Sequence, residues 1–146
     1  MDKHKLIAAC QQRLAEQLSN AKQMMDDAQQ QSNDYGQNKD RYDPFRTKLM
    51  RQRDMHAKQY QSLLEQQNLL EQLSPTAKHT SVEFGSLVRT NRGLFFVATA
   101  IGRVEYEGQS VFTISMSAPI YGAMDGRVAG DSFEFNGIKH TIDSID

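Results

Sequence analysis

Apolar residues recur every three or four positions through the first half of the chain, the spacing of one face of an α-helix. Strong helix formers without Gly or Pro run from Asp2 to about Gln31, and a similar stripe runs from Pro44 to Leu73. Asp43 is a candidate N-cap for the second helix. At about 1.5 Å per residue, two helices of about 30 residues reach ~45 Å each. A short polar connection between equal helices predicts an antiparallel α-helical hairpin, a coiled coil, over residues 1–74.

After a linker at residues 75–80, the pattern changes to the alternation typical of β-strands. Strands are predicted near 82–89, 94–101, 110–116, 131–135 and 138–142, with a short helix at 118–124. Asn136-Gly137 has the composition of a type I′ hairpin turn. Residues 81–146 are therefore predicted to form a small antiparallel β-sheet domain with one short helix. The whole chain is predicted to be α+β.

Composition divides at the same place. Residues 1–74 hold 14 glutamines and one glycine, whereas the remainder holds eight glycines and one glutamine. The net charge of −1 argues against a broad surface for duplex DNA. One cysteine excludes a disulfide scaffold and a zinc site built from cysteines. With neither a membrane-length apolar run nor a signal-peptide pattern, the sequence is typical of a soluble, cytoplasmic protein.

The polar connection at residues 32–43 is an acidic tip, because it carries Asp34, Asp40 and Asp43. Paired carboxylates suit Mg²⁺, which prefers oxygen ligands. The same residue types are also favoured as helix caps, and Lys39 and Arg41 lie between the carboxylates. Spacing alone leaves both interpretations open.

No motif for intrinsic catalysis is present: the sequence contains no phosphate-binding loop, nucleophile elbow or HExxH. The helical pattern is equally typical of a coiled-coil adaptor or dimerisation protein. In that alternative, the chain would pair with a second copy through its leucine stripes, which contain Leu14, Leu18, Leu63 and Leu70.

The run from Ile114 to Asp131, ISMSAPIYGAMDGRVAGD, resembles the C-terminal signature of the bacterial GreA/GreB transcript-cleavage factors, I-S-x-x-S-P-I-x-x-A-L-x-G-K-x-x-G-D. Residues 82–88 are similar to that family's V-x-F-G-S-x-V. The ending from Gly137 to Ile145 is similar to its G-x-x-Y-x-I-x-x-I, with His140 at the tyrosine position. Residues 40–43, Asp-Arg-Tyr-Asp, look closer still to the tip of a branch of small Gre-like proteins in Bacteroidetes.

The resemblance implies an FKBP-like C-terminal domain that docks on RNA polymerase at its secondary channel, with the coiled coil reaching toward the active site. The docking role would fall to Ser117, Ala118, Pro119 and Ile120. It further implies a monomer with no intrinsic cofactor, which is not itself an enzyme and meets nucleic acid only through the polymerase. Mg²⁺ would be shared with the polymerase, and Asp40 and Asp43 would be its ligands from this chain.

Two parts of the chain depart from the family pattern, the tip and the docking residues. Aligned on Gly36, the tip has Gln37 where the cleavage factors have their first acid, and Asp40 where they have the second. Ala118 replaces the serine that precedes the proline, which removes one hydrogen-bonding group. The tip therefore favours a regulator that occupies the channel without stimulating cleavage.

Overall fold

The computed structural model describes residues 3–35 and 43–146 of the 146-residue chain. Its elements are three helices and six strands: α1 Lys3–Tyr35, α2 Pro44–Glu71, β1 Leu87–Thr90, β2 Gly93–Val97, β3 Gly102–Tyr106, β4 Gln109–Ile114, α3 Pro119–Met124, β5 Ser132–Phe135 and β6 Ile138–Ile145. The predicted α+β class is confirmed. Among the described residues, no helix is both long and apolar enough to cross a membrane.

Helix α1 continues one turn beyond its predicted end. Residues 32–34 are turn formers in isolation, but their side chains bond back along the helix: Gln29 Nε2 donates to Asn33 Oδ1 at 2.9 Å, and Gln30 Nε2 donates to Asp34 Oδ1 at 2.8 Å. Such pairs, four residues apart, stabilise a helical turn. The helix therefore ends at Tyr35.

The chain divides into two compact units. The first consists of residues 1–13 and 68–146, and the second consists of residues 14–67. In the second unit the helices run antiparallel, since Tyr35 packs against Phe45 while residues near 21 share a groove with residues near 59. The buried positions of α1 in this unit include Leu14 and Ala28, which lie on the predicted apolar stripe.

The first unit contains one six-stranded sheet in the order β3-β4-β2-β1-β6-β5. The prediction of an antiparallel sheet is wrong for one strand pair, because β2 and β4 are parallel and the sheet is mixed. The unpredicted strand β3 is the reason: it reverses the chain direction between β2 and β4, so β4 runs in the same direction as β2. Strand β3 alternates exposed Arg103 and Glu105 with buried Val104 and Tyr106, so the alternation typical of a strand is present in this stretch and the prediction left it out.

Both faces of the central strands are buried. One face packs with α3 in a cluster that comprises Val82, Val88, Phe95, Val97, Ile114, Met124, Phe133 and Ile142. The alternate residues Leu87, Leu94 and Phe96 are also at most 3 % exposed. Because successive side chains of a strand point to opposite faces, the sheet is covered on both sides. Leu6 and Cys10, at the start of α1, are completely buried in this same unit.

The type I′ turn at Asn136-Gly137 is confirmed. Both residues have positive φ, 53° and 76°, and they join β5 to β6. This hairpin follows α3, and its Phe133 and Ile142 side chains belong to the same core cluster as Met124, which is fully buried.

Candidate functional site

Asp43 caps helix α2, as the sequence predicts. Its Oδ1 accepts hydrogen bonds from the backbone N–H groups of Phe45 at 2.9 Å and Arg46 at 3.3 Å. Its own carbonyl oxygen accepts bonds from the backbone nitrogen and the hydroxyl of Thr47, each at 3.2 Å. These are the bonds of an N-cap residue at a helix end whose first N–H groups have no partner within the helix.

The other oxygen of the same carboxylate receives a hydrogen bond from the last residue of α1. The Tyr35 hydroxyl donates to Asp43 Oδ2, and this bond raises the pKa of the Tyr35 phenol. The rings of Tyr35 and Phe45 meet edge to face, with centroids 5.1 Å apart and planes at 62°. Sequence reasoning missed this contact, because no local pattern relates residue 35 to residue 43.

The predicted acidic tip is described only in part. Asp34 is exposed on the last turn of α1, where it accepts the hydrogen bond from Gln30. Asp40 lies outside the described residues, as do Gln37, Lys39 and Arg41. The described stretches contain no group of three or more His, Cys, Asp or Glu side chains arranged to hold a metal ion. The Asp40 and Asp43 pair therefore stays a prediction.

The four residues predicted to dock on a partner are consecutive: Ser117 and Ala118 follow β4, and Pro119 and Ile120 begin α3. Ser117 and Pro119 are exposed, whereas Ala118 and Ile120 are partly buried against the sheet core. Ala118 is the N-cap residue of α3 and makes no side-chain capping bond. The hydroxyl oxygens of Ser115 and Ser117 lie 2.9 Å apart.

Other residues of the Ile114–Asp131 segment shape the backbone around this loop. Met124 is fully buried, and Gly126 and Gly130 have φ of 73° and 92°, values that favour glycine. Asp131 Oδ2 accepts a hydrogen bond from the backbone N–H of Val128 at 3.0 Å. The segment thus combines the buried side chains of Ile114 and Met124 with two exposed stretches, at residues 116–117 and 125–130.

Two buried polar residues were not singled out by the sequence. Lys3 is 4 % exposed, and its Nζ donates to the carbonyl oxygens of Ala77 at 3.1 Å and Gly85 at 3.0 Å. Burial lowers the pKa of Lys3. His140 is 7 % exposed and stacks on Phe133. Its position two residues before Ile142, on the same face of a strand, is the one sequence signal of its burial.

Comparisons with known proteins find similar chains among the solved structures. No protein-family model matches the chain, and no curated protein matches it. The alignment with a solved structure of the transcription factor Gfh1 covers 94 % of this chain and 93 % of the Gfh1 chain, with 18 % sequence identity and a TM-score of 0.38. For GreA factor homolog 1 (Gfh1) of Thermus thermophilus, the alignment covers 94 % of this chain and 95 % of that chain, with 16 % sequence identity and a TM-score of 0.38. Gfh1 of Thermus aquaticus covers 94 % and 94 %, at 18 % identity and 0.36. These values fall below the range in which a structural likeness assigns a function.

Proposed function

We propose that this chain is a Gre-like transcription factor that binds RNA polymerase at the secondary channel and modulates elongation. The observation that carries the proposal is the gapless resemblance of residues 114–131 to the Gre signature. Within that segment, Met124 and the two positive-φ glycines form the framework. Ser117 and Pro119 remain exposed, where the resemblance places the docking contact.

The helical hairpin suits insertion into a channel. Its helices have 33 and 28 residues, and they are antiparallel, so that the connection between them lies at one end. The sheet unit, FKBP-like by resemblance, would hold the docking loop on the outside of the polymerase. The chain would act on nucleic acid only through this partner, which agrees with its net charge of −1.

The activity would belong to the polymerase and not to this chain. The resemblance implies tip carboxylates that share a Mg²⁺ with the polymerase, where the ion would help to activate a water for RNA cleavage. In this chain the first of the family's two acids is Gln37. A factor that occupies the channel and competes with true cleavage factors agrees better with this tip.

The alternative, a coiled-coil dimerisation protein, requires leucine stripes that face a second copy. Leu14 and Leu70 are only 1 % and 2 % exposed within the single chain, and Leu18 and Leu63 are partly buried. Because none of the four side chains is fully exposed to a second copy, we expect a monomer. Light scattering during size-exclusion chromatography tests this expectation, and a stable dimer formed through the helices would favour the alternative.

Binding to core RNA polymerase tests the docking loop. We expect Ser117→Arg to weaken binding at least about tenfold, because a buried interface rejects an unpaired charge. Ser74→Arg is the matched control, since Ser74 is also exposed. Its hydroxyl oxygen also lies close to a second hydroxyl two residues along the chain, 3.3 Å from that of Thr76. Equal affinities of the two variants would refute the assigned loop.

Cleavage on backtracked elongation complexes separates the two kinds of factor. A non-cleaving regulator should leave the RNA intact and reduce the rate at which a true cleavage factor acts. Cleavage that is lost in Asp40→Asn would instead establish a Mg²⁺-holding tip. If the chain neither cleaves nor competes, the polymerase proposal is wrong.

A further inference from the structure

The ends of helices α1 and α2 are joined by a small set of contacts at the base of the tip. Tyr35, Asp43 and Phe45 form this set, which we call the tip latch. We propose that Asp43 is a positioning residue that closes the tip latch, and that it is not a ligand for a shared Mg²⁺. The role of the latch in transcription rests on the function proposed above, whereas the latch itself belongs to the free protein.

The first step of the argument concerns the Asp43 carboxylate. Oδ1 accepts two backbone N–H groups, and Oδ2 accepts the phenol of Tyr35. Mg²⁺ demands near-octahedral oxygen ligands at about 2.0–2.1 Å and does not readily give up its waters. The three donors occupy three of the roughly four lone-pair positions of the carboxylate, and they offset part of the negative charge that a cation needs. The carboxylate is therefore poorly suited to bind a cation.

The second step is independent of hydrogen bonding. The Tyr35 and Phe45 side chains are 41 % and 54 % exposed, so no core fixes their positions. Each ring nevertheless lies against the other, edge to face at 5.1 Å. Edge-to-face contacts are favourable because a positive ring edge meets a negative ring face. This contact holds the Tyr35 hydroxyl beside the carboxylate.

The consequence is that residues 35 and 43 are held at a fixed separation on either side of the seven residues between them. The two roles of Asp43 then predict opposite behaviour for Tyr35→Phe. If Asp43 closes the tip latch, loss of the phenol hydroxyl weakens the contact between the end of α1 and the start of α2. If Asp43 holds a metal, the same loss removes a competing donor and leaves metal-dependent activity intact or higher.

Hydrogen exchange on the free 146-residue chain tests the tip latch without the polymerase. Asp43→Ala should speed exchange of the Phe45 and Arg46 amides about fivefold, the usual effect of losing a cap. Asp43→Asn should leave them within about twofold, because asparagine caps as well as aspartate does. Asp34→Asn is the control, because Asp34 is an exposed acid of the tip that takes no part in the tip latch. Unchanged amides in Asp43→Ala, or equal changes in Asp34→Asn, would overturn the latch.

A second readout follows the phenol directly. The pKa of Tyr35 is raised mainly by its bond to Asp43, so Asp43→Ala should lower the titration midpoint of the Tyr35 ring observed by NMR. Asp34→Asn should leave that midpoint in place. An unchanged midpoint in Asp43→Ala would show that the hydroxyl does not bond to this carboxylate.

Competition with a cleavage factor on polymerase then tests the positioning role. We expect Asp43→Ala and Tyr35→Phe each to weaken competition. The double variant should compete no worse than Asp43→Ala alone. Asp43→Asn should retain competition at both low and saturating Mg²⁺. Loss in Asp43→Asn together with retention in Tyr35→Phe would identify Asp43 as a metal ligand and refute the proposal. If the wild-type protein does not compete, the proposed function and the role in transcription both fail, while the exchange data still decide whether the latch exists.

Discussion

His140 offers a sharp test of the sheet core, because a polar ring lies where an apolar one would fit. The ring is 7 % exposed, parallel to Phe133 within 1° at a centroid distance of 4.8 Å, and edge-on to Phe95 at 6.1 Å. Its Nδ1 atom is buried without a hydrogen-bond partner in the described structure. Leaving such a group unpaired costs about 1–3 kcal/mol. We therefore expect His140→Phe to raise the free energy of unfolding by about 1–2 kcal/mol at pH 7.

The pH dependence of that gain has a definite sign. Burial, and secondly the positive charge of Arg92, lower the pKa of His140 from its ordinary value of 6.5. The unfolded chain then binds the proton more readily than the folded chain does. The contribution of neutral His140 is complete above pH 6.5 and is lost as the pH falls toward the folded pKa, at up to about 1.4 kcal/mol per pH unit. His140→Phe removes this loss.

Urea unfolding between pH 5 and pH 8 measures both effects. The difference between variant and wild type cancels the titration of the carboxylates that both proteins share. It should be constant above pH 7 and should widen below pH 6.5. His140→Tyr, the residue of the Gre pattern, should also remove the pH dependence. A difference that stays constant down to pH 5 would refute a buried, neutral His140.

Three further substitutions test the framework, each by urea unfolding. Lys3→Met leaves the Ala77 and Gly85 carbonyl oxygens without their donor and should cost about 2 kcal/mol; an unchanged midpoint would show that water replaces the ammonium group. Gly137→Ala should cost about 1 kcal/mol from its φ of 76° alone, since an added Cβ would meet nothing within 4 Å; a larger loss would contradict that open surface. Met124→Ala should cost about 2–5 kcal/mol, and a cost under about 1 kcal/mol would mean that α3 does not seal the core.

Local chemistry made much of the fold predictable. Asp43 before Pro44 indicates a cap, and Asn136-Gly137 indicates a tight hairpin, because each depends on the bonds or backbone angles of adjacent residues. The structure contains both. Pro119 likewise begins α3, where its fixed φ suits a first turn.

Contacts between distant residues were not predictable in the same way. Alternation identifies β2 and β4 as strands but does not say that they pair in parallel. The bond between Tyr35 and Asp43 depends on the meeting of two helix ends, and the burial of Lys3 depends on carbonyl groups more than 70 residues away. Among the candidate site residues, the proposed docking residues 117–120 are identified by a contiguous signature, whereas the tip depends on spatial arrangement.

The division of the chain into units has a consequence for how it can be dissected. Because residues 1–13 and 68–146 form one unit, the helical hairpin is, in terms of connectivity, an insertion within that unit. A single cut in the linker therefore does not yield two intact pieces: a fragment that begins at residue 81 would lack Leu6 and Cys10, both fully buried in the sheet-containing unit. A better dissection replaces residues 14–67 with a short loop and leaves the first unit intact. By the same reasoning, the helices of residues 14–67 can be shortened or lengthened by whole helical turns while the proposed docking residues 117–120 stay unchanged.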